Sequence, residues 1–254
     1  MQVLLRTETD TANQDEPGLV LGLATTPEEL EQLQRLRFDV YTKEMNAVFP
    51  DAVDGVDIDR YDQWCYHLMV CDARTGKIVG TYRIMTPEKA IKANGYYSES
   101  EFDISSLDNI RHLLCECGRS CTHADYRNGS AIMLLWTGLT KFLYQRNYRY
   151  MLGCASVSLA DGGVQASQVW RAAKAEMDKH PELPRVTPLN PYPLEKLDAT
   201  GEVKIPALIK GYLKIGARIC GEPAWDPNFN AADFPIIIDM ESMDPRYRKH
   251  FGID

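Results

Sequence analysis

The chain has 254 residues, of which 44% are hydrophobic and 25% charged, with a formal net charge of -8. That length supports a core of normal size in one large domain or two small ones, and an isoelectric point near 5.2 excludes a general nucleic-acid binder, which needs a basic stripe. No apolar run approaches the roughly 20 residues that span a bilayer.

The opening stretch "MQVLLRTETDTANQDEPG" soon turns acidic and lacks the core of a signal peptide. Residues 1–18 are therefore expected to be a disordered tail. "TPEELEQLQRLRFDVYTKEM" at 26–45 reads as an amphipathic helix. Thr26 caps it, Pro27 suits its first turn and Glu29 completes a capping box. An Asp-rich loop follows to Asp62. "YHLMVCDARTGKIVGTYRIM" predicts a β-hairpin turning at "ARTGK". "YYSESEFDISSL" is a connection with short helix, and "HLLCECGRSCT" the next strand. Residues 129–145 form an apolar-faced helix. "YMLGCASVSL" is nearly all apolar or small, as buried strands are. Val164–Met177 is helical, and "HPELPRVTPLNPYPLEKLD" is irregular, with five prolines. "PALIKGYLKIGARIC" reads as a further helix and "FPIIIDM" as a late strand. No repeat or Gly/Ser linker divides the chain, so residues 19–254 are expected to form a single α/β domain. A strand–helix–strand unit behind a hairpin implies a mixed, mostly antiparallel sheet with helices on both faces.

Seven cysteines without a CxxC pair or an export signal predict reduced thiols in a cytoplasm. Cys115, Cys117 and Cys121 lack structural-zinc spacing and read as buried strand residues, with no metal expected. His67 and His123 read as structural or exposed groups. The turn Arg127-Asn128-Gly129-Ser130-Ala131, between a strand and a helix N-terminus, offers backbone N–H groups, the helix dipole and a guanidinium to a phosphate. Read blandly, Gly129 only makes a tight turn.

Strand, "RNGSA" turn, helix and small-residue strand together resemble the acyl-donor loop of the GNAT acyltransferase fold. There the loop amides hold the pyrophosphate of coenzyme A or the phosphopantetheine phosphate of acyl-carrier protein. The loop here is one residue shorter than the usual Arg/Gln-x-x-Gly-x-Gly/Ala, which leans towards a carrier-protein donor. Arg37, Tyr41, Asp59, Asp62, Arg83, Glu116 and Arg119 fall in an order similar to the acyl-homoserine-lactone synthase branch of the fold. The C-terminal third is closer to a sister family, the ornithine lipid N-acyltransferases. The resemblance covers roughly residues 30–251 and is carried by "YSESEFDISSL", "GRSCTHADYRNGSAI", "LGCASVSLADGGVQA", "LIKGYLKIGARICGEPAWDPNFNAADF" and "RYRKHF".

The resemblance implies transfer of a 3-hydroxyacyl chain from acyl-carrier protein to the α-amine of ornithine. Catalysis falls to Glu116, Arg119 and Asp59, the acceptor to Arg37, Tyr41, Asp62 and Arg83, and the phosphopantetheine to residues 127–131. The residue chemistry is compatible. The acidic loop (Asp54, Asp57, Asp59, Asp62) would draw in a cation, and Arg37 or Arg83 would take the carboxylate. A buried Glu116 would have a raised pKa suited to accepting the amine's proton. No permanent cofactor or cysteine nucleophile is needed. Glu116 and Arg119, three apart on a strand, share a site only if the strand bulges, for which Gly118 is well placed; otherwise they form a structural ion pair. Trp225 either lines a pocket or packs. Lys210, Lys214 and Arg218, "KFLYQRNYR" and "RYRKH" are docks for an acidic carrier or ordinary solvated faces. A lipid product is compatible with peripheral contact at the inner membrane. The alternatives are a synthase using another amine, including a lactone type, and a non-catalytic module that binds acyl-carrier protein.

Overall fold

The computed structural model describes residues 1–7, 18–49, 52, 54–194 and 202–253. Its strands are β1 (Gln2–Arg6), β2 (Leu19–Leu23), β3 (Tyr66–Asp72), β4 (Ile78–Met85), β5 (Phe102–Asp103), β6 (Leu114–Thr122), β7 (Tyr150–Ser158), β8 (Thr187–Pro188), β9 (Arg218–Ile219), β10 (Ala224–Asp226) and β11 (Ala231–Asp239). The helices are α1 (Pro27–Met45), α2 (Pro87–Lys92), α3 (Ser130–Tyr144), α4 (Val164–Met177), α5 (Ala207–Lys214) and α6 (Pro245–Phe251). Strands β1-β2-β3-β4-β6-β7-β11-β10 follow one another across the large sheet, β9 also pairs with β11, and β5 and β8 form a separate pair. In the large sheet only β6 and β7 run parallel. No helix among the described residues is long and apolar enough to cross a membrane.

The mixed, mostly antiparallel sheet with helices on both faces is the expected class. Side chains alternate along β3: Leu68 and Val70 join Leu135, Leu139 and Phe142 of α3 on one face. Met69 and Cys71 join Leu33, Leu36 and Tyr41 of α1 on the other. Two covered faces explain why every residue of β4 is buried. Helix α1 begins at the expected capping box, with Thr26 accepting from the Glu29 N–H.

Three sequence expectations need correction. Residues 2–6, assigned to a disordered tail, form the edge strand β1 against β2; residues 8–17 of that tail lie outside the described residues. β2 itself was not anticipated. The helix expected over 206–220 stops at Lys214, because Gly216 turns with φ +105° and Arg218–Ile219 then pairs with β11.

Candidate active site

β6 and β7 pair only from Leu114 to Glu116 and from Tyr150 to Leu152. Beyond that point β6 stays with β4 and β7 stays with β11. The facing edges part, and a cavity of about 240 Å³ fills the opening. Gly153 stands at the vertex, where an added Cβ would lie 2.4 Å from the Cys117 carbonyl oxygen; a side chain there would force the strands apart.

β6 also bulges against β4. Thr81 pairs with Cys121 and Arg83 with Gly118, so Arg119 and Ser120 together oppose Tyr82. The expected bulge is present, but the left-handed residue is Arg119, at φ +49°, next to Gly118. The shift turns Glu116 and Arg119 to the same cleft. Tyr41 donates its hydroxyl to the Ser120 carbonyl at 3.1 Å, tying α1 to the bulge.

Three arginines and three aspartates lie beside the bulge. Arg37 is fully buried. Its Nε meets Asp57 Oδ2 at 2.8 Å, and its terminal nitrogens reach Asp62 Oδ1 and Oδ2 at 3.0 and 2.7 Å. Arg83 Nη1 bridges Asp59 at 2.6 Å and Asp62 at 3.0 Å. Arg119 approaches Asp57 and Asp59 at 3.6 and 3.4 Å, with its guanidinium between the rings of Tyr97 and Phe229. Burial pushes the Asp62 carboxyl up, but Arg37 and Arg83 outweigh it and hold it well below the usual range. These charges neutralise one another. Arg37 and Asp62, expected to bind substrate, are buried and paired with one another, and Asp62 also meets Arg83. Asp59, expected to be catalytic, joins Arg83 to Arg119 and accepts the Tyr61 and Asp62 N–H groups. Among the described aspartates of the loop, only Asp54 is left exposed. Arg119 is the loosest of the three arginines: among the described residues its hydrogen bond is one long contact to Asp59.

Glu116 is 6% exposed and lines the cleft. It accepts the Tyr97 N–H at 2.9 Å, and the Ser98 N–H and hydroxyl at 2.6 and 2.5 Å. Burial raises its pKa, and those donors offset the rise only in part. It is a carboxylate fixed in position that still has lone pairs to offer. The sequence reading missed a second acidic group. Asp233, from β11, points into the cleft, with Asp226 beside it and Glu101 behind. Burial raises the pKa of both Glu101 and Asp233; Asp233 adds to the rise in Glu101, and Asp226 to the rise in Asp233.

Residues 36–137 match the family model described as acetyltransferase (GNAT) domain. An L-ornithine N(alpha)-acyltransferase of Brucella abortus is 33% identical over 257 residues, covering 93% of this chain and 90% of that protein. One from Agrobacterium fabrum is 32% identical, covering 98% and 92%. The chain belongs to the L-ornithine N(alpha)-acyltransferase family. It is an acyltransferase. The fold is shared with a CoA-dependent acyl-homoserine lactone synthase, BjaI, solved with SAM and isopentyl-CoA (TM-score 0.50, 16% identity, 89% and 84% of the two chains). It is shared too with FeeM, an N-acyl amino acid synthase from uncultured soil microbes (TM-score 0.50, 12% identity, 89% and 93%).

Residues 127–131, expected to hold the phosphopantetheine, make bonds within the protein. Arg127 is held by Glu44 and by the Thr122 carbonyl, so its guanidinium braces the loop against α1. Asn128 accepts the Ser130 N–H, Gly129 takes φ +99°, and the first turn of α3 carries no acidic residue. All seven cysteines are free, and Cys115, Cys117 and Cys121 are buried, as read from the sequence. Burial raises the Cys117 and Cys154 thiols well above their usual range, so the cleft holds no thiolate nucleophile at neutral pH. Tyr82 and Tyr212 meet at the inner end of the cleft, hydroxyls 2.9 Å apart, and burial holds both protonated. Beyond them a small apolar cavity runs between Trp136, Leu139 and Ile236. His67 is buried and neutral, its pKa lowered to about 4 by desolvation. His123 lies towards the surface beside Lys77. Trp225 is 45% exposed and stands edge-on to Tyr192.

Proposed function

We propose that the chain transfers a 3-hydroxyacyl group from the phosphopantetheine of acyl-carrier protein to the α-amine of ornithine, forming lyso-ornithine lipid. The observation that carries this reading is the cleft between the parted edges of β6 and β7, with Glu116 near its closed end and Arg119 on its bulge. The acceptor is supported by the activity named for the two relatives. A thioester donor is supported by the ligand named for the lactone synthase.

The unpaired strand edges present N–H and C=O groups to the amides of an extended pantetheine arm. The amides of Gly129 and Ala131 at the entry to α3 face its phosphate. The acyl chain runs past Tyr82 and Tyr212 into the apolar cavity. Ornithine's α-ammonium loses its proton to Glu116, directly or through a water. The free amine attacks the thioester carbon, forming the C–N bond. The C–S bond then breaks, and the second proton of the attacking nitrogen, shed as it becomes an amide, passes to the departing thiolate directly or through a water. Glu116 releases its proton to water, and the amide and thiol leave. No acyl-enzyme forms, and no resident cofactor takes part.

α5 roofs the cleft with Leu208 and Tyr212 and exposes Lys210 and Lys214, a face suited to an acidic carrier. Exposed Arg246 and Lys249 on α6 suit anionic headgroups at the inner membrane.

Product analysis by mass spectrometry tests the reading. Purified protein is incubated with 3-hydroxyacyl-carrier protein and a mixture of amino acids, alongside Glu116→Gln. The expected result is N-acyl-ornithine, lowered on the order of 10²–10⁴-fold in the variant. An amide of another amine overturns the acceptor, and full activity of Glu116→Gln overturns the base.

A further inference from the structure

Asp233 is an exception on its strand. From Ala231 to Ile238 every residue of β11 is buried, and Asp233 is the one charged side chain among them. It pairs with Ser156 of β7 on one side and Ala224 of β10 on the other, and is 3% exposed. Its Oδ1 lines the cleft and, in the ionised acid, has no hydrogen-bond partner among the described residues. Glu101 repeats the pattern: Oε1 accepts the Tyr97 hydroxyl at 2.5 Å, and Oε2 is buried without a partner. Donor atoms of Glu101, Asp233 and Cys154 all lie within 4.8 Å of one another. Asp226 is adjacent, its Oδ1 accepting the Asn228 and Phe229 N–H groups.

The Glu101 and Asp233 carboxyls hydrogen-bond to one another by sharing a proton, which spares a buried pair of acids from both being charged. The neighbouring arginine–aspartate network is balanced within itself, and the cation nearest in effect to Asp233 is Arg119, held by Asp57 and Asp59. An ammonium brought from outside can replace the shared proton and let both acids ionise. Its distance from Glu116 is set by two side chains. Ser98 donates to Glu116 at 2.5 Å and lies 3.8 Å from Cys154 Sγ, which in turn touches the acid pair. A carboxylate at one end, an acid pair at the other and Arg119 alongside match the charges of a diamino acid: one amine to react, a second ammonium to hold and one carboxylate.

We infer that Asp233 and Glu101 form the subsite for the side-chain ammonium of the acceptor, and so select a diamino acid over a monoamino acid with the same carbon chain. The inference rests on ornithine being the acceptor. In it Asp233 contacts the ammonium directly, and Glu101 completes the pair with its free oxygen.

The test is competition between ornithine and norvaline, which has the same chain without the second amine. Both are offered with 3-hydroxyacyl-carrier protein to the wild type, Asp233→Asn and Glu101→Gln. The reading is the ratio of the two kcat/KM values, which cancels a general loss of folded protein. A hydrogen bond to a charged group contributes about 1.5–3 kcal/mol, so the ratio should fall on the order of 10- to 100-fold in Asp233→Asn. Glu101→Gln should move it the same way and serves if Asp233→Asn does not fold. An unchanged ratio in a variant, with the wild type preferring ornithine, overturns the subsite and leaves the proposed reaction standing. A wild type that acylates neither compound overturns both. A stoichiometric divalent metal in the purified protein, lost in Asp233→Asn, also overturns the subsite, because the acid pair would then be a metal site.

Discussion

Removing Arg37 separates a substrate-binding role from a structural one. The side chain is fully buried and holds Asp57 and Asp62 through three charged contacts between 2.7 and 3.0 Å. Arg37→Met leaves both carboxylates buried and short of positive charge. Deleting one member of a buried pair costs about 3–5 kcal/mol, a large share of the roughly 5–15 kcal/mol that stabilises a domain. At ~2–4 °C per kcal/mol for a protein of this size, Tm should fall by about 6–20 °C. Thermal unfolding followed by circular dichroism measures this. Adding Asp62→Asn to Arg37→Met should recover part of the loss, because it removes one of the stranded charges. A Tm within ~2 °C of wild type, together with a tenfold or greater rise in KM for ornithine, would refute the reasoning and return Arg37 to the carboxylate-binding role that the family resemblance implied.

Two further outcomes follow from the cleft. Gly153→Ala places a methyl 2.4 Å from the Cys117 carbonyl oxygen at the point where β6 and β7 part. It should lower stability by about 1–3 kcal/mol and acylation more than tenfold; wild-type kinetics would show that the vertex is not rigid. Ornithine selectivity should also depend on pH. Burial raises Glu101 to about 8, with Asp233 adding to the rise, and Asp233 to about 6, with Asp226 adding to it, and both bind an ammonium only when ionised. The surrounding groups are Asp226, Arg119, Tyr97 and the neutral Cys154 thiol. As pH rises from about 6 to about 8 the pair loses its protons while the side-chain ammonium, with a pKa near 10, keeps its own. The ornithine-to-norvaline ratio of kcat/KM should therefore increase across that window. Deprotonation of the α-amine, common to both acceptors, cancels in the ratio. A flat profile would show that the acid pair does not meet the second amine.

Much of the frame was legible because it is periodic. The capping box and apolar spacing mark α1, the alternation across "ARTGK" marks β3 and β4, and the small-residue run marks β7. β2 escaped because five apolar residues preceded by an acidic stretch carry no distinguishing period, and β1 exists only through that partner. α5 was drawn too long because Ile215 and Ile219 continue its spacing, although the chain turns at Gly216 and pairs as a strand. In the site, the conflict between a three-residue spacing and a two-residue strand period revealed the bulge that brings Glu116 and Arg119 together. Sequence could not reveal which charges cancel. Arg37, Asp59 and Asp62 look available as letters, and the pairing of Arg37 with Asp62 and of Asp59 with Arg83 exists only in three dimensions. Asp233 did leave a signal, one acid in "AADFPIII", but a strand read as wholly apolar from Phe234 onward left it outside the pattern.

The balanced network and the unbalanced acids are parts of one device. A non-glycine residue at φ +49° is disfavoured by ~1–3 kcal/mol and persists only where its surroundings impose it. Arg119 is held by Asp57 and Asp59, by the rings of Tyr97 and Phe229, and by the Tyr41 bond to the next carbonyl. Asp57 and Asp59 are placed in turn by Arg37 and Arg83. The deepest arginine thus fixes the shape of the strand, and the strand aims the most weakly bound arginine at the cleft. Arg37 is linked to Arg119 through Asp57, which both guanidiniums approach. Its loss should lower turnover with every acceptor alike, whereas loss of Asp233 should change which acceptor is used.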